Sequence, residues 1–145
     1  MSLKTLGSKG MSLIEIMVVI MIMGLVAGVT TVYVMGLFKD AKASNTKNQM
    51  KGIEEALEHF YRDAGFYPST EQGLQALIEK PSIGRSPKRY SPEGYMQKIP
   101  QDSWSCDFVY YSPGVQGHQY EIYSLGQDCA EGGEGYDADV ASFDE

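Results

Sequence analysis

The stretch from Met11 to Phe38 reads MSLIEIMVVIMIMGLVAGVTTVYVMGLF and carries one charge, Glu15. From Ile16 to Phe38, 23 residues pass without another. An uncharged apolar run beyond about 18 residues predicts a transmembrane helix. Lys4 and Lys9 precede the run and Lys39 and Lys42 follow it, so the flanking positive charge is balanced and orients it only weakly. A secretory signal peptide would place its cleavage site after the apolar core, but this run is too long for such a core and passes without a stop into a helical pattern. A plain membrane anchor has no use for Glu15, because a carboxylate near the start of a membrane helix is expensive unless paired. Gly24, Gly28 and Gly36 and the β-branched pair Thr30-Thr31 lie inside the same helix. They serve either close helix packing, where small residues let backbones approach, or local melting, since glycine costs about 1 kcal/mol against alanine in a helix interior.

Outward from this run the chain changes character. It has 145 residues, about one domain's worth, and a net charge of −7 from 12 Lys+Arg against 19 Asp+Glu. That balance excludes a nucleic-acid binder, which needs a basic face to displace counterions from phosphates. Most of the continuous apolar sequence lies in the first quarter, whereas Asp128 to Glu145 holds seven acids and no Lys or Arg. The pattern predicts a membrane-inserting N-terminus joined to a soluble acidic domain.

The helix continues past the run. Met50, Ile53, Leu57, Phe60 and Tyr61 recur at helical spacing and form one apolar stripe, Glu58 and Arg62 form a favourable i,i+4 pair, and Gly65 supplies a C-cap. One long helix is expected from Ser12 to about Ala64. Pro68 then breaks the chain, and Ser69 or Thr70 caps a short helix ending near Glu79. Pro81 to Pro92 is a loop. Strands are expected at Phe108–Tyr111, Gln119–Ser124 and near Val140, the first two joined as an antiparallel hairpin across Ser112-Pro113-Gly114. Trp104, Phe108, Tyr110, Tyr111, Tyr120 and Tyr123 read as core and sheet face. His59 and His118 read as surface residues, and no Ser-His-Asp or Cys-His set appears, so the chain is not expected to be an enzyme.

The most chemically loaded segment is Ser124 to Val140, where Asp128, Glu131, Glu134, Asp137 and Asp139 alternate with glycines. Carboxylates together with carbonyls turned inward by glycine are what a hard cation such as Ca²⁺ prefers. The order is not that of an EF-hand, and no His or Cys cluster at zinc spacing competes. A solvated acidic loop is the alternative.

Four blocks carry a resemblance. Lys9-Gly10-Met11-Ser12-Leu13-Ile14-Glu15 resembles the processing site of type IV pilin-like proteins. Tyr67-Pro68-Ser69-Thr70-Glu71-Gln72-Gly73-Leu74-Gln75-Ala76-Leu77 resembles the YPTTEQGLxAL block of the major pseudopilins of type II secretion systems. Gly94 to Trp104 is similar to that family's GYLKKLPKDPW run, and Ser124 to Val140 to its SLGADGxxGGxGxDADI loop. The resemblance implies an α+β, pilin-like fold, with a long N-terminal helix packed on a small antiparallel β-sheet. It implies a leader, residues 1–10, cut after Gly10 by a prepilin peptidase that then methylates Met11, where the family usually has Phe. Residues 11–38 would be the membrane and filament-core helix, and 39–145 a periplasmic globular domain. Glu15 would pair with the terminal amine of a neighbouring Met11, since a buried carboxylate needs a partner.

The acidic loop would bind Ca²⁺ through Asp128, Asp137, Asp139 and the Leu125 carbonyl, with Glu131 and Glu134 as weaker candidates. Cys106 stands where relatives commonly have Asn and Cys129 where Gly usually follows the loop's first Asp. Two departures that produce the chain's two cysteines imply one disulfide in an oxidising periplasm, tying the acidic loop to the start of the hairpin; two free thiols are the alternative. Val32 stands where relatives often carry Pro, which leaves any flexibility there to the glycines. The implied job is structural: a single-pass bacterial inner-membrane protein that polymerises with itself into a periplasmic filament, the pseudopilus, and drives export of folded proteins across the outer membrane. The implied partners are minor pseudopilins, the inner-membrane secretion platform, the prepilin peptidase and, before assembly, the lipid bilayer. A major pilin of a surface type IV pilus, or a membrane-anchored calcium-binding module with no assembly role, are the other readings.

Overall fold

The computed structural model describes residues 10–135 and 137–144, with the backbone alone at 29–35. The expected leader residues before Gly10, and the side chains of Thr30, Thr31 and Val32, lie outside the described residues. The chain divides into two units, Met1–Phe38 and Lys39–Glu145. Helix α1, Leu13–Ala64, contributes its first part to one and its second to the other.

In the first unit Ser12 and Glu15 cap the helix reciprocally. The Ser12 hydroxyl accepts the Ile14 N–H at 3.2 Å and the Ser12 N–H is donated to the Glu15 carboxylate at 3.4 Å. Beyond them the side chains are apolar on every side of the helix: Leu13 is 80% exposed, Met21 77% and Leu25 72%. A helix apolar all round has no face of its own for water. Among the described residues no helix is long and apolar enough to cross a membrane, and the expected span at 11–38 includes the seven side chains at 29–35.

In the second unit α1 ends where glycine allows it to. Gly65 takes φ +76° and donates its N–H to the Tyr61 carbonyl at 2.7 Å, a left-handed cap open to glycine at little cost. The stripe of α1 is Met50, Ile53, Ala56, Leu57 and Phe60, all buried, with Thr46 buried one turn earlier. Tyr61, expected within it, is instead 41% exposed and stacks on Tyr67 at 4.6 Å; the stripe is narrower than the spacing alone suggests. The expected Glu58–Arg62 pair is also replaced. Glu58 accepts the Tyr67 hydroxyl, and Arg62 turns to the His59 ring at 2.6 Å.

After α1 the expected short helix ending near Glu79 is present as a 3₁₀ helix, preceded by a turn. The Ser69 N–H is donated to the Gln72 side chain at 3.0 Å and the Ser69 hydroxyl accepts the Gln72 N–H at 3.4 Å. Gly73 at φ +60° then interrupts helical geometry, and a single 3₁₀ turn follows at Leu74–Leu77. Three antiparallel strands form one sheet in the order β1 (Val109–Tyr111), β2 (Glu121–Ser124), β3 (Val140–Ala141). They start one and two residues later than expected for β1 and β2. Tyr110 pairs with Ile122, and both are buried against Met50, Ile53, Leu57 and Phe60 of α1. Residues directly opposite share a face, so Val109 and Tyr123 lie on the other side of the sheet, together with Ala141, which pairs with Tyr123. The architecture is α+β, a long helix packed on a small antiparallel sheet.

Candidate functional site

The acidic loop leaves β2 at Ser124 and returns at β3, and its anchoring begins some twenty residues earlier in the chain. Asp102, buried, turns the backbone back on itself: one carboxylate oxygen accepts the Trp104 N–H at 2.9 Å and the Cys106 N–H at 2.8 Å, and the other accepts the Ser124 hydroxyl at 2.6 Å. The same turn is held on α1 through Ser103, whose hydroxyl is donated to the Lys42 carbonyl at 2.9 Å and whose N–H is donated to the Thr46 hydroxyl at 3.2 Å. Lys42 lies 5.6 Å from the centre of the Trp104 ring. The result is a fixed Cys106, 4% exposed, bonded to Cys129 with their Cα atoms 5.7 Å apart. The disulfide implied by the resemblance is therefore present, and both cysteines of the described chain are in it.

The loop itself is folded by glycine. Gly126 has φ +68°, and a Cβ there would lie 2.8 Å from both the carbonyl carbon and the oxygen of Asp137. At Gly133 a Cβ would lie 2.5 Å from the Asp137 oxygen. The two limbs of the loop thus meet backbone to backbone at Asp137. Asp128 accepts the Ala130 N–H at 3.1 Å, and one oxygen of Asp139 accepts the Gly132 N–H at 2.9 Å. The other, Asp139 Oδ1, is buried with no hydrogen-bond partner. A buried carboxylate oxygen without a donor is costly and fits a cation, which would fill its lone pairs. Asp128, Glu131 and Glu134 are exposed; Leu125, Asp137 and Asp139 are half-buried. Among the described residues, no three acidic, histidine or cysteine side chains stand close enough to hold a metal. The carbonyl of Leu125 lies at the loop's entry, beside Gly126.

Two residues the sequence did not single out shape the neighbourhood. Asp102 is one. The other is Glu121, fully buried on β2, which accepts the Val115 and Gln116 N–H groups at 2.9 and 2.6 Å and the Tyr123 hydroxyl at 2.9 Å. Burial pushes its carboxyl up, but the bonds from Gln116, Tyr123 and Val115 outweigh that and hold it below the usual carboxylate range. It pulls the hairpin connection across the face of the sheet that carries Tyr123. The Asp-Ser-Trp order at 102–104 was the available sign of the first, since Asp favours turns that bond the backbone two residues on. Nothing local marks Glu121. His59 and His118 are exposed, as expected, His118 stacking on Phe143 at 4.7 Å.

At the other end of the chain Glu15 is exposed and accepts the capping bond from the Ser12 N–H. Gly10 and Met11 precede the helix and are exposed.

Comparison with known proteins covers both regions. Residues 33–143 match the family model described as type II secretion system, protein G, and residues 6–31 match the prokaryotic N-terminal methylation motif. The type II secretion system core protein G of Pseudomonas aeruginosa is 42% identical over 136 residues, 94% of this chain and 95% of that one. That of Vibrio cholerae is 36% identical over 134 residues, covering 92% and 90%. The crystal structure of the major pseudopilin from the type 2 secretion system of enterohaemorrhagic Escherichia coli is similar with a TM-score of 0.67 at 33% identity, over 74% of this chain and 90% of that one. This is a family of structural pseudopilin subunits, not of enzymes, and its fold is the pilin-like one. With an N-terminal methylation motif at the apolar helix and a family match over nearly all of the globular unit, the chain belongs to the protein G family of the type II secretion system.

Proposed function

We propose that this chain is inserted in the bacterial inner membrane by residues 11–38, is cut after Gly10 and methylated on Met11 by a prepilin peptidase, and then polymerises into a periplasmic pseudopilus that drives folded proteins across the outer membrane. The observation that carries the reading is the helix before Phe38: among its described side chains it is apolar on all sides and exposed throughout, broken only by Ser12 and Glu15. Such a surface has to be covered. The bilayer covers it first, and the equivalent helices of neighbouring copies cover it in the filament. In that second setting Glu15 loses water and needs a cation, which the new N-terminus at Met11 of a neighbour supplies. A like surface repeated head to tail, and not closing on itself, makes a helical polymer rather than a ring. Minor pseudopilins and the inner-membrane platform are the further partners of such a filament.

The acidic loop is read in the same proposal as a Ca²⁺ site held by Asp128, Asp137, Asp139 and the Leu125 carbonyl, with Glu131 and Glu134 nearby. The unpartnered Asp139 Oδ1 supports it. When bound, the ion supplies positive charge that relieves the repulsion between these acids. Asp139 and Asp137 hold the returning limb and Asp128 the outgoing one, so binding ties the limbs together and becomes folding stability.

Glu15→Ala tests the assembly reading. The variant is expected to stay in the membrane fraction and keep its Ca²⁺-dependent melting, yet to form no filaments by cross-linking or electron microscopy. Filaments equal to those of the parent would overturn the role of Glu15. A parent chain whose melting temperature does not respond to EGTA would overturn the cation site.

A further inference from the structure

The two limbs of the acidic loop are held by means that do not involve a cation. The outgoing limb is fixed covalently at Cys129. Its partner Cys106 is buried and donates its N–H to Asp102, and that carboxylate also takes the Ser124 hydroxyl at 2.6 Å, at the end of the strand that feeds the loop. Cys129 itself has φ +54°, a left-handed conformation that a non-glycine residue keeps only when its surroundings impose it. The bond to Cys106 joins this residue to the buried turn at 102–106. The returning limb is fixed where β3 begins at Val140 and where the Asp137 backbone lies against Gly126. The bond therefore divides the loop: it fixes Cys129, next to Asp128, and residues 130–135 lie between that point and the anchored Asp137.

We infer that the Cys106–Cys129 bond pre-organises the cation loop, so that residues 125–139 stay closed without the cation and bind it more tightly for that reason. The inference rests on the reading of this loop as a Ca²⁺ site. Asp128, Glu131, Glu134, Asp137 and Asp139 belong to one short loop, with no Lys or Arg between Leu125 and Asp144. Left to themselves these charges favour an open loop. Affinity for a ligand falls by the fraction of molecules in the competent state. A loop that has to close on binding meets that penalty at every binding event, and a loop closed beforehand by a covalent bond does not.

The test compares the full-length chain in detergent with its Cys106→Ser/Cys129→Ser variant. Serine keeps the size of the side chain and leaves the backbone cost at position 129 in place. By calorimetric titration with Ca²⁺, the dissociation constant is expected to rise at least ~10-fold in the variant. A second reading uses a glutamyl endopeptidase in EGTA, which cuts after the exposed Glu131 and Glu134. The intact loop should be cut slowly and the variant's quickly, with Ca²⁺ slowing the variant again. Equal affinities, or equal cutting rates in EGTA, overturn the inference and leave the cation reading standing. Absence of binding by both proteins refutes the cation reading itself, and the inference falls with it. Should the variant fail to fold, the intact chain decides alone: Ca²⁺ binding by titration together with cutting unchanged by EGTA supports a pre-closed loop, and cutting accelerated ~10-fold or more by EGTA refutes one.

Discussion

The close approach of Gly126 to Asp137 makes a quantitative prediction, because the same loop holds a matched control. Gly126 and Gly135 both have φ +68°. A Cβ at Gly135 meets nothing within 4 Å, whereas one at Gly126 lies 2.8 Å from the Asp137 carbonyl carbon and oxygen and 3.0 Å from the Ala138 oxygen. Alanine at 135 therefore meets only the backbone cost of a left-handed conformation, ~1 kcal/mol. Alanine at 126 meets that cost and an overlap with backbone that cannot swing away as a side chain could, a further ~1–3 kcal/mol. For a domain of about this size 1 kcal/mol shifts the melting temperature by ~4 °C, so Gly135→Ala should lower it by ~4 °C and Gly126→Ala by ~8–16 °C. The assay is thermal unfolding followed by circular dichroism, in non-reducing buffer, on the full-length chain in detergent. Equal shifts for the two variants would mean that Asp137 does not lie against Gly126 in solution, and the account of how the loop closes would be wrong.

Other expectations concern the core and the titrating groups. Phe60→Ala removes a fully buried ring that packs edge-on against Phe66 and Tyr95, at 5.8 and 5.4 Å, and should cost ~3–5 kcal/mol by denaturant unfolding. Burial pushes the Tyr110 hydroxyl from 10.0 up to about 12, and burial raises Tyr67 and Tyr120 as well. The folded state thus prefers the protonated phenols. Stability from them is complete below pH 10 and is lost as pH rises through the folded values, so absorbance at 295 nm should show these tyrosines ionising last, together with unfolding. Glu121 has the opposite sign. Its carboxyl is held below 4.5, so its contribution is present above that value and disappears as pH falls through the folded one. Glu121→Gln should melt lower than the parent at neutral pH and lose less on acidification; parallel melting-temperature curves for the two would refute the role given to this carboxylate.

Much of the molecule was legible because the signals are local. The period of Met50, Ile53, Leu57 and Phe60 names a helix and its inner face, the turn residues 112–114 name a hairpin, and Gly65 marks where the helix stops. The EQGL and GGEGYDAD blocks, read against a known family, pointed to the pseudopilins, and the departures from that family's pattern at 106 and 129 to the paired cysteines. Misplacements fell where a residue just beyond the helix competes for the same partner, or where a glycine intervenes. Tyr61 sits at helical spacing for the core, yet Tyr67 offers it a stacking partner outside. Arg62 is correctly spaced for Glu58, but the Tyr67 hydroxyl takes that carboxylate. Gly73 interrupts a helix whose capping residues are otherwise in order.

The sequence by itself determined the elements, their order and the chemistry of the two ends: an apolar helix with one acid at its start, and a glycine-rich loop of acids near its end. Periodicity, capping and turn preference act over a few residues, so they can be read from a few residues. What only the tertiary structure decided is how that loop is held. Asp102, Cys106, Ser124, Gly126, Cys129 and Asp137 span 36 positions from first to last. They meet because α1 and the sheet bring the turn at 102–106 under the loop, where a buried carboxylate has to find its donors and a backbone can approach only glycine. Those requirements belong to the packed interior, and no stretch of the chain carries them alone.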